Sequence, residues 1–196
     1  MIPIPESVTI ARHPEREAEL YDKGREWLTK DERSPGLHAS DMLDPLQAYW
    51  SHTDPRPLPN RLVTMFMVGK VLHAFVLGSY TGTVDVDKSD GGSSRSPLGF
   101  DYSPDLLHDG IVRELKTSRS YYEPKNLDDV GMYVEQLLTY MASTDTIESE
   151  LWVLFLNLKD EGGKTSPAFR CYTIRLSKDD LARTKDFLRQ RAFQLS

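Results

Sequence analysis

The chain has 196 residues, with 24 Lys and Arg against 30 Asp and Glu, so it carries a net charge of −6. A field of that sign repels polyanions, and any grip on nucleic acid must come from a local basic patch or from bound cations. No stretch of about 18 uncharged apolar residues occurs, so no helical membrane span is expected, and the single Cys171 allows no internal disulfide.

The opening residues, MIPIPESVTIARHPERE, lack the basic-then-apolar order of a signal peptide. With one cysteine, this leads us to expect a reducing, cytoplasmic setting. Residues 14–30, PEREAELYDKGREWLTK, read as an amphipathic, charge-laced helix that Pro35 and Gly36 end. A second helix is expected over Ser40–Ser51 with Ser40 or Asp41 as its N-cap. Three prolines, Pro55, Pro57 and Pro59, then make a loop. Residues 61–78 are apolar nearly all round, the pattern of a helix buried on every side. YTGTVDVD alternates and predicts a strand, and the Gly- and Ser-rich 88–99 segment predicts a flexible loop.

Two strands, FDYSPDLL and IVRELKTS, follow around His108-Asp109-Gly110, and then a helix over DDVGMYVEQLLTYMA with apolar residues at helical spacing. ELWVLFLNL predicts a central strand and FRCYTIRL another. SKDDLARTKDFLRQRAF predicts a closing helix capped by Ser177. The order α, β-meander, α, β, β, α implies an α/β or α+β core with helices on the sheet faces. We expect one compact domain, with residues 1–60 as a helical N-terminal extension and 61–196 as the core.

The chemistry concentrates in the hairpin. Asp-Gly is a strong signal for a two-residue turn in which both residues take positive φ. With Asp109 and Gly110 as that turn, His108 pairs with Ile111, Leu107 with Val112 and Leu106 with Arg113, and Asp105 falls opposite Glu114. Alternation then puts Asp105, Leu107, Val112, Glu114 and Lys116 on one face. Like charges directly opposite are destabilising. A divalent cation between the carboxylates offsets that repulsion, since Mg²⁺ is typically held by one or two carboxylates plus waters and phosphate oxygens. A second Glu-x-Lys, Glu123-Pro124-Lys125, carries no weight because proline interrupts any strand there.

The flanking helices add candidates. Gly69 and His73, four apart, share one face of the 61–78 helix, and the glycine suggests close approach by the hairpin or a substrate. His73 is a candidate metal ligand, and imidazole suits Mn²⁺ more than Mg²⁺. After the hairpin, Tyr133, Gln136 and Tyr140 form a polar-aromatic stripe expected opposite the apolar one, able to stack a base and to offer an amide to phosphate or base.

Pro104-Asp105 followed by Glu114-Leu115-Lys116 resembles the signature of the PD-(D/E)XK nuclease superfamily. The closer likeness is to its RecB-type branch, including the CRISPR-associated RecB-like exonucleases. That branch places G-x-x-x-H before the hairpin, here Gly69 to His73, and Q-x-x-x-Y after it, here Gln136 to Tyr140. HASDMLDPLQAYW is similar to its leading helix, and the likeness spans about residues 37–157. The CRISPR-associated members usually carry four cysteines for an iron–sulfur cluster. Asp44 precedes Pro45 where one of those would fall, so no cluster is expected here, and the chain moves toward a pared-down or viral relative.

The resemblance implies a restriction-endonuclease-like core: a mixed central sheet flanked by helices. It implies metal-dependent hydrolysis of DNA phosphodiesters, with His73, Asp105, Glu114 and the Leu115 carbonyl holding Mg²⁺ or Mn²⁺ and Lys116 completing the catalytic set. Gln136 and Tyr140 would position the strand, Arg119 and Lys125 would contact phosphates, and Asp85, in Gly82-Thr83-Val84-Asp85, is the reserve acid. The expected activity is a DNA exonuclease on single strands or duplex ends, in recombination, repair or CRISPR-related processing, with recombination or CRISPR-adaptation proteins as partners and no membrane. The alternatives are a structure-specific endonuclease and a non-cleaving binding module on the same scaffold. The setting is cytoplasmic, or the host cytoplasm for a viral protein.

Overall fold

The computed structural model describes residues 14–29, 37–54, 56–81, 94–125, 129 and 131–195. The chain divides into two compact units, Met1–Arg33 with Pro57–Met67, and Ser34–Arg56 with Val68–Ser196. This differs from the expected 1–60 and 61–196 partition. The segment after Ser34 groups with the sheet, and the start of the long apolar helix groups with the first helix. The chain passes from one unit to the other in the proline-rich loop, between Arg56 and Pro57, and again within the apolar helix, between Met67 and Val68.

In the first unit, α1 (Pro14–Thr29) meets the opening turns of α4 (Asn60–Thr81). Gly24 lets them approach: a Cβ there would lie 2.5 Å from Met67 Sδ and 2.9 Å from Val63 Cγ1. Arg25 donates through Nε to the Leu58 carbonyl at 2.9 Å, tying α1 to the loop before α4.

In the second unit, the helix expected over 40–51 is two pieces, α2 (Ala39–Leu43) and α3 (Pro45–Thr53). Pro45 removes a backbone donor and restricts Asp44, which sits at φ −134°, ψ 80°. The N-cap is His38, two or three residues before the expected one, and Asp41 accepts the His38 backbone N–H at 2.9 Å. A short ladder joins β1 (Ser94–Arg95) to β2 (Asp101–Tyr102), within what the sequence read as a loop and the start of a strand. The predicted 80–87 strand begins inside α4, and its remainder, from residue 82 on, lies outside the described residues.

The main sheet has the order β3-β4-β5-β6, from β3 (Leu106–His108), β4 (Ile111–Ser118), β5 (Glu148–Lys159) and β6 (Thr165–Arg175). Its β4–β5 pair is parallel and the other two are antiparallel. A parallel pair needs a crossover, and α5 (Gly131–Thr144) is that connection. β5 lies between two partners, which is why ELWVLFLNL is apolar without strict alternation. α6 (Lys178–Leu195) starts at Ser177, whose Oγ accepts the Asp180 N–H at 3.1 Å. The core joins Val112, Leu151 and Val153 of the sheet to Leu137 and Met141 of α5, Leu181 and Leu188 of α6, and Met42 of α2. The fold is mixed α/β, a four-stranded mixed sheet flanked by helices.

α4 is not covered on every side: Phe66, Val71 and Phe75 are 47%, 49% and 64% exposed. A helix apolar all round carries no stripe to say which face packs. Among the described residues, no helix is long and apolar enough to cross a membrane.

Leu137 is fully buried at the centre of this core. Leu137→Ala is expected to lower stability by about 2–5 kcal/mol, read as a lower urea midpoint at unchanged slope. A wild-type midpoint would contradict this placement of the core.

Candidate active site

The hairpin adopts the expected turn and register. Asp109 and Gly110 have φ of 54° and 73°, and Leu106, Leu107 and His108 pair with Arg113, Val112 and Ile111. The strand expected over 100–107 is interrupted at Ser103-Pro104-Asp105. Proline cannot supply a ladder donor, so β3 begins only after it, and Asp105 stands at the break, outside the ladder, without the expected pairing to Glu114.

The break turns the Asp105 carboxylate to two partners. Oδ2 accepts the Leu115 backbone N–H at 2.6 Å, and Oδ1 lies 3.3 Å from His73 Nδ1 on α4. A side chain therefore continues the tie between β4 and the preceding segment. Burial pulls the His73 imidazole down, but the hydrogen bond and charge of Asp105 outweigh it and leave its pKa raised. Gly69, one turn before His73, is not forced by packing: a Cβ there would meet Thr117 Oγ1 at 3.7 Å, an ordinary contact.

Glu114 is 2% exposed. Its Oε1 accepts a hydrogen bond from Lys116 Nζ, and its Oε2 is buried with no partner. Among the described residues the other such side-chain atom is Ser149 Oγ. Burial pushes the Glu114 carboxyl up and the Asp105 charge adds to it. Lys116 and His73 act in the opposite sense, and the net result is about 7. Burial pulls Lys116 down, but the charges of Glu114 and Asp105 more than reverse this, so it remains an ammonium group. Its Nζ also sits 5.6 Å from the centre of the Tyr133 ring on α5.

His73, Asp105, Glu114, Lys116 and the Leu115 backbone thus influence one another within one neighbourhood. They are not closed into a three-ligand group, and among the described residues no trio of His, Cys, Asp or Glu is so placed. His73 is turned to Asp105 and Glu114 to Lys116. The donor set nevertheless fits a hard divalent cation. It offers two neighbouring carboxylates and one carboxylate oxygen with no partner, and Mg²⁺ needs few protein oxygens beyond that.

The helix stripe is arranged differently from expectation. Gln136 Nε2 donates to Tyr140 Oη at 2.7 Å. Tyr140 is 4% exposed and lies in the core, 6.1 Å from the Tyr102 ring. Tyr140 is three residues after the fully buried Leu137, so both belong to one helix face. Arg119 and Lys125 are exposed on the segment after β4. Asp85 lies outside the described residues. Sequence reading did not find the cleft of about 550 Å³ beyond the end of β4, lined among others by Ser118, Tyr122, Lys125, Tyr133 and Phe155. Lys125 and Tyr133, both candidates from the sequence, line it, but they lie on separate elements and their spacing does not show that they share a cleft.

No family model matches the chain, and no curated protein matches it. Among solved structures it is similar to the protein crystallised as SSO0001, at 17% identity over 95% of this chain and 87% of that one, with a TM-score of 0.53. It overlaps more loosely with an alkaline exonuclease (LHK-Exo) from Laribacter hongkongensis, at 17% identity over 90% of this chain and 92% of that one, TM-score 0.49. A phage related exonuclease from Haemophilus somnus 129PT overlaps at 10% identity over 91% of this chain and 79% of that one, TM-score 0.40. The first likeness is one of fold. The two looser overlaps carry no conclusion about this chain.

The raised Glu114 pKa has a definite sign in stability. The folded protein holds that proton up to about pH 7, whereas an unfolded glutamate releases it near 4.5. Its stabilising contribution is therefore complete below about 4.5 and is lost as pH rises through about 7. The raised His73 contributes below 6.5 and loses its contribution above its folded pKa, and the Glu114 charge is the smallest of the causes that raise it, after the hydrogen bond and charge of Asp105. The melting temperature of Glu114→Gln minus that of wild type is expected to grow between about pH 5 and about pH 8. A pH-independent difference would contradict the buried, proton-holding carboxyl.

Proposed function

We propose that this chain is a metal-dependent DNA exonuclease that hydrolyses phosphodiester bonds in single-stranded DNA or at duplex ends. One observation carries the reading: Glu114 Oε2 is buried without a partner, beside the Asp105 carboxylate whose charge it feels. The order of Gly69 to His73, Asp105, Glu114-Leu115-Lys116, and Gln136 to Tyr140 supports it from the sequence.

In this reading Asp105, Glu114 and the Leu115 carbonyl would hold Mg²⁺ or Mn²⁺, with His73 as a further ligand once it turns from Asp105. A bound ion of this kind lowers the pKa of a coordinated water and offsets charge on the phosphate. Lys116, an ammonium at neutral pH, orients the attacking water and stabilises negative charge in the transition state. The catalytic residues are Asp105, Glu114 and Lys116. Tyr140 is a positioning residue: its hydroxyl orients the Gln136 amide, which meets the strand. Arg119 and Lys125 contact phosphates. Asp85 remains the reserve acid. No iron–sulfur cluster is part of this reading, and the setting is recombination, repair or CRISPR-related processing.

Labelled oligonucleotides with Mn²⁺ test it. Linear single strands are expected to be cut and circular ones spared. Cut circles would make the enzyme a structure-specific endonuclease, and no cleavage of either would leave a binding module. Asp105→Ala is expected to lower turnover at least about 100-fold, and wild-type turnover in that variant would remove the catalytic assignment. His73→Ala is expected to raise the Mn²⁺ concentration for half-maximal activity by about 10–100-fold. An unchanged requirement would limit His73 to holding Asp105.

A further inference from the structure

Just past the catalytic strand the chain runs Ser118-Arg119-Ser120-Tyr121-Tyr122, and both tyrosines face outward, 50% and 61% exposed. Exposed neighbouring aromatics on a loop are usually mobile, but these are held. The Ser118 hydroxyl accepts the Ser120 N–H at 3.1 Å, and the Ser120 hydroxyl accepts the Tyr122 N–H at 3.1 Å while donating to the Tyr122 carbonyl at 2.7 Å. Lys159, the last residue of β5, donates its backbone N–H to the Tyr121 carbonyl at 2.9 Å. Its ammonium group lies 5.5 Å from the Tyr121 ring centre and 5.3 Å from that of Tyr122, and donates to the Tyr122 hydroxyl at 3.3 Å.

We propose that Tyr121, Tyr122 and Lys159 form a stacking platform for the unpaired bases of the single strand that feeds the active site. This deepens the nuclease reading and rests on it for its substrate. Four features argue for a nucleic-acid strand. The lysine ammonium lies near each ring, yet Tyr121 and Tyr122 remain half or more exposed as residues, which leaves surface for a second, planar partner. Stacking of this kind accepts any base, as an enzyme that consumes whole strands requires.

The local charge also suits a phosphate chain. Arg119, Lys125, Lys159 and Lys164 lie on the segments that form the platform, and Glu123 is paired with Arg170 and the Tyr172 hydroxyl, so the local balance against Asp129, Asp160 and Glu161 is not acidic as the whole chain is. Finally, Tyr122 and Tyr133 line the same cleft of about 550 Å³, and Tyr133 lies against the Lys116 ammonium. That volume suits one unstacked nucleotide better than a duplex.

The test measures binding apart from cleavage. Fluorescence anisotropy in EDTA compares a short labelled oligothymidylate with an abasic oligomer of equal length and charge. Wild type is expected to bind the base-bearing strand more tightly. Tyr121→Ala/Tyr122→Ala is expected to weaken that binding by about fivefold or more and to leave abasic binding unchanged, while Tyr121→Phe/Tyr122→Phe keeps it. Should the alanine chain not fold by circular dichroism, Tyr122→Leu and the wild-type preference carry the same test. Wild type without base preference or without binding, or a variant that loses both strands equally, overturns the platform. Mn²⁺ cleavage by the same preparations is scored separately. Base-dependent binding without cleavage refutes the nuclease reading and keeps the platform, and cleavage without base-dependent binding does the reverse.

Discussion

The structure turns on a carboxylate kept where a carboxylate is costly. Glu114 sits on β4 with Val112 at the next same-side position, and both are buried. An apolar side chain there would extend the core. Instead the chain holds an acid beside a second acid, with one oxygen on Lys116 and the other on nothing. Leaving a buried polar atom unsatisfied costs about 1–3 kcal/mol, and burying charge costs more. The raised Glu114 pKa is that cost expressed as proton affinity. A cation that bound both acids, as proposed, would replace the proton and remove much of the cost.

Each neighbouring element serves this arrangement for a local reason. Pro104 cuts the strand short, and the break frees the Asp105 carboxylate to reach the Leu115 N–H. The Asp109-Gly110 turn fixes the register from His108–Ile111 to Leu106–Arg113, which leaves Asp105 just past the end of the ladder and within reach of Leu115. α4 delivers His73 to the outer oxygen of Asp105. α5, required as the crossover between parallel β4 and β5, brings the Tyr133 ring to Lys116. The same strand that carries Glu114 and Lys116 runs on into Arg119 and the paired tyrosines, so one continuous segment carries the acids and both exposed aromatics.

Much of this was legible in the sequence because the decisive signals are local. Asp109-Gly110 demands positive φ, and period-two alternation then assigns every hairpin residue to a face. β4, β5, β6 and α6 were legible for the same reason, through alternation, apolar runs and the Ser177 cap. What sequence did not disclose depends on packing between distant segments. The all-round apolarity of α4 hid which side is open, and the spacing of Tyr133, Gln136 and Tyr140 could not say that Tyr140 faces the core. The split at Asp44-Pro45 was open to inspection, but the helical composition around it masked the proline. Lys159 joins Tyr121 and Tyr122 across 37 residues of sequence, a separation that no motif spans.

The central claim is that the Asp105 and Glu114 carboxylates share one divalent cation. A crystal soaked in Mn²⁺ and measured for anomalous scattering at the manganese edge tests it most directly. The account predicts a peak within coordination distance of Asp105 and of Glu114 Oε2, with Glu114 still on the Lys116 side of β4. A peak bound elsewhere, or a fully soaked crystal with none between the two carboxylates, would contradict it.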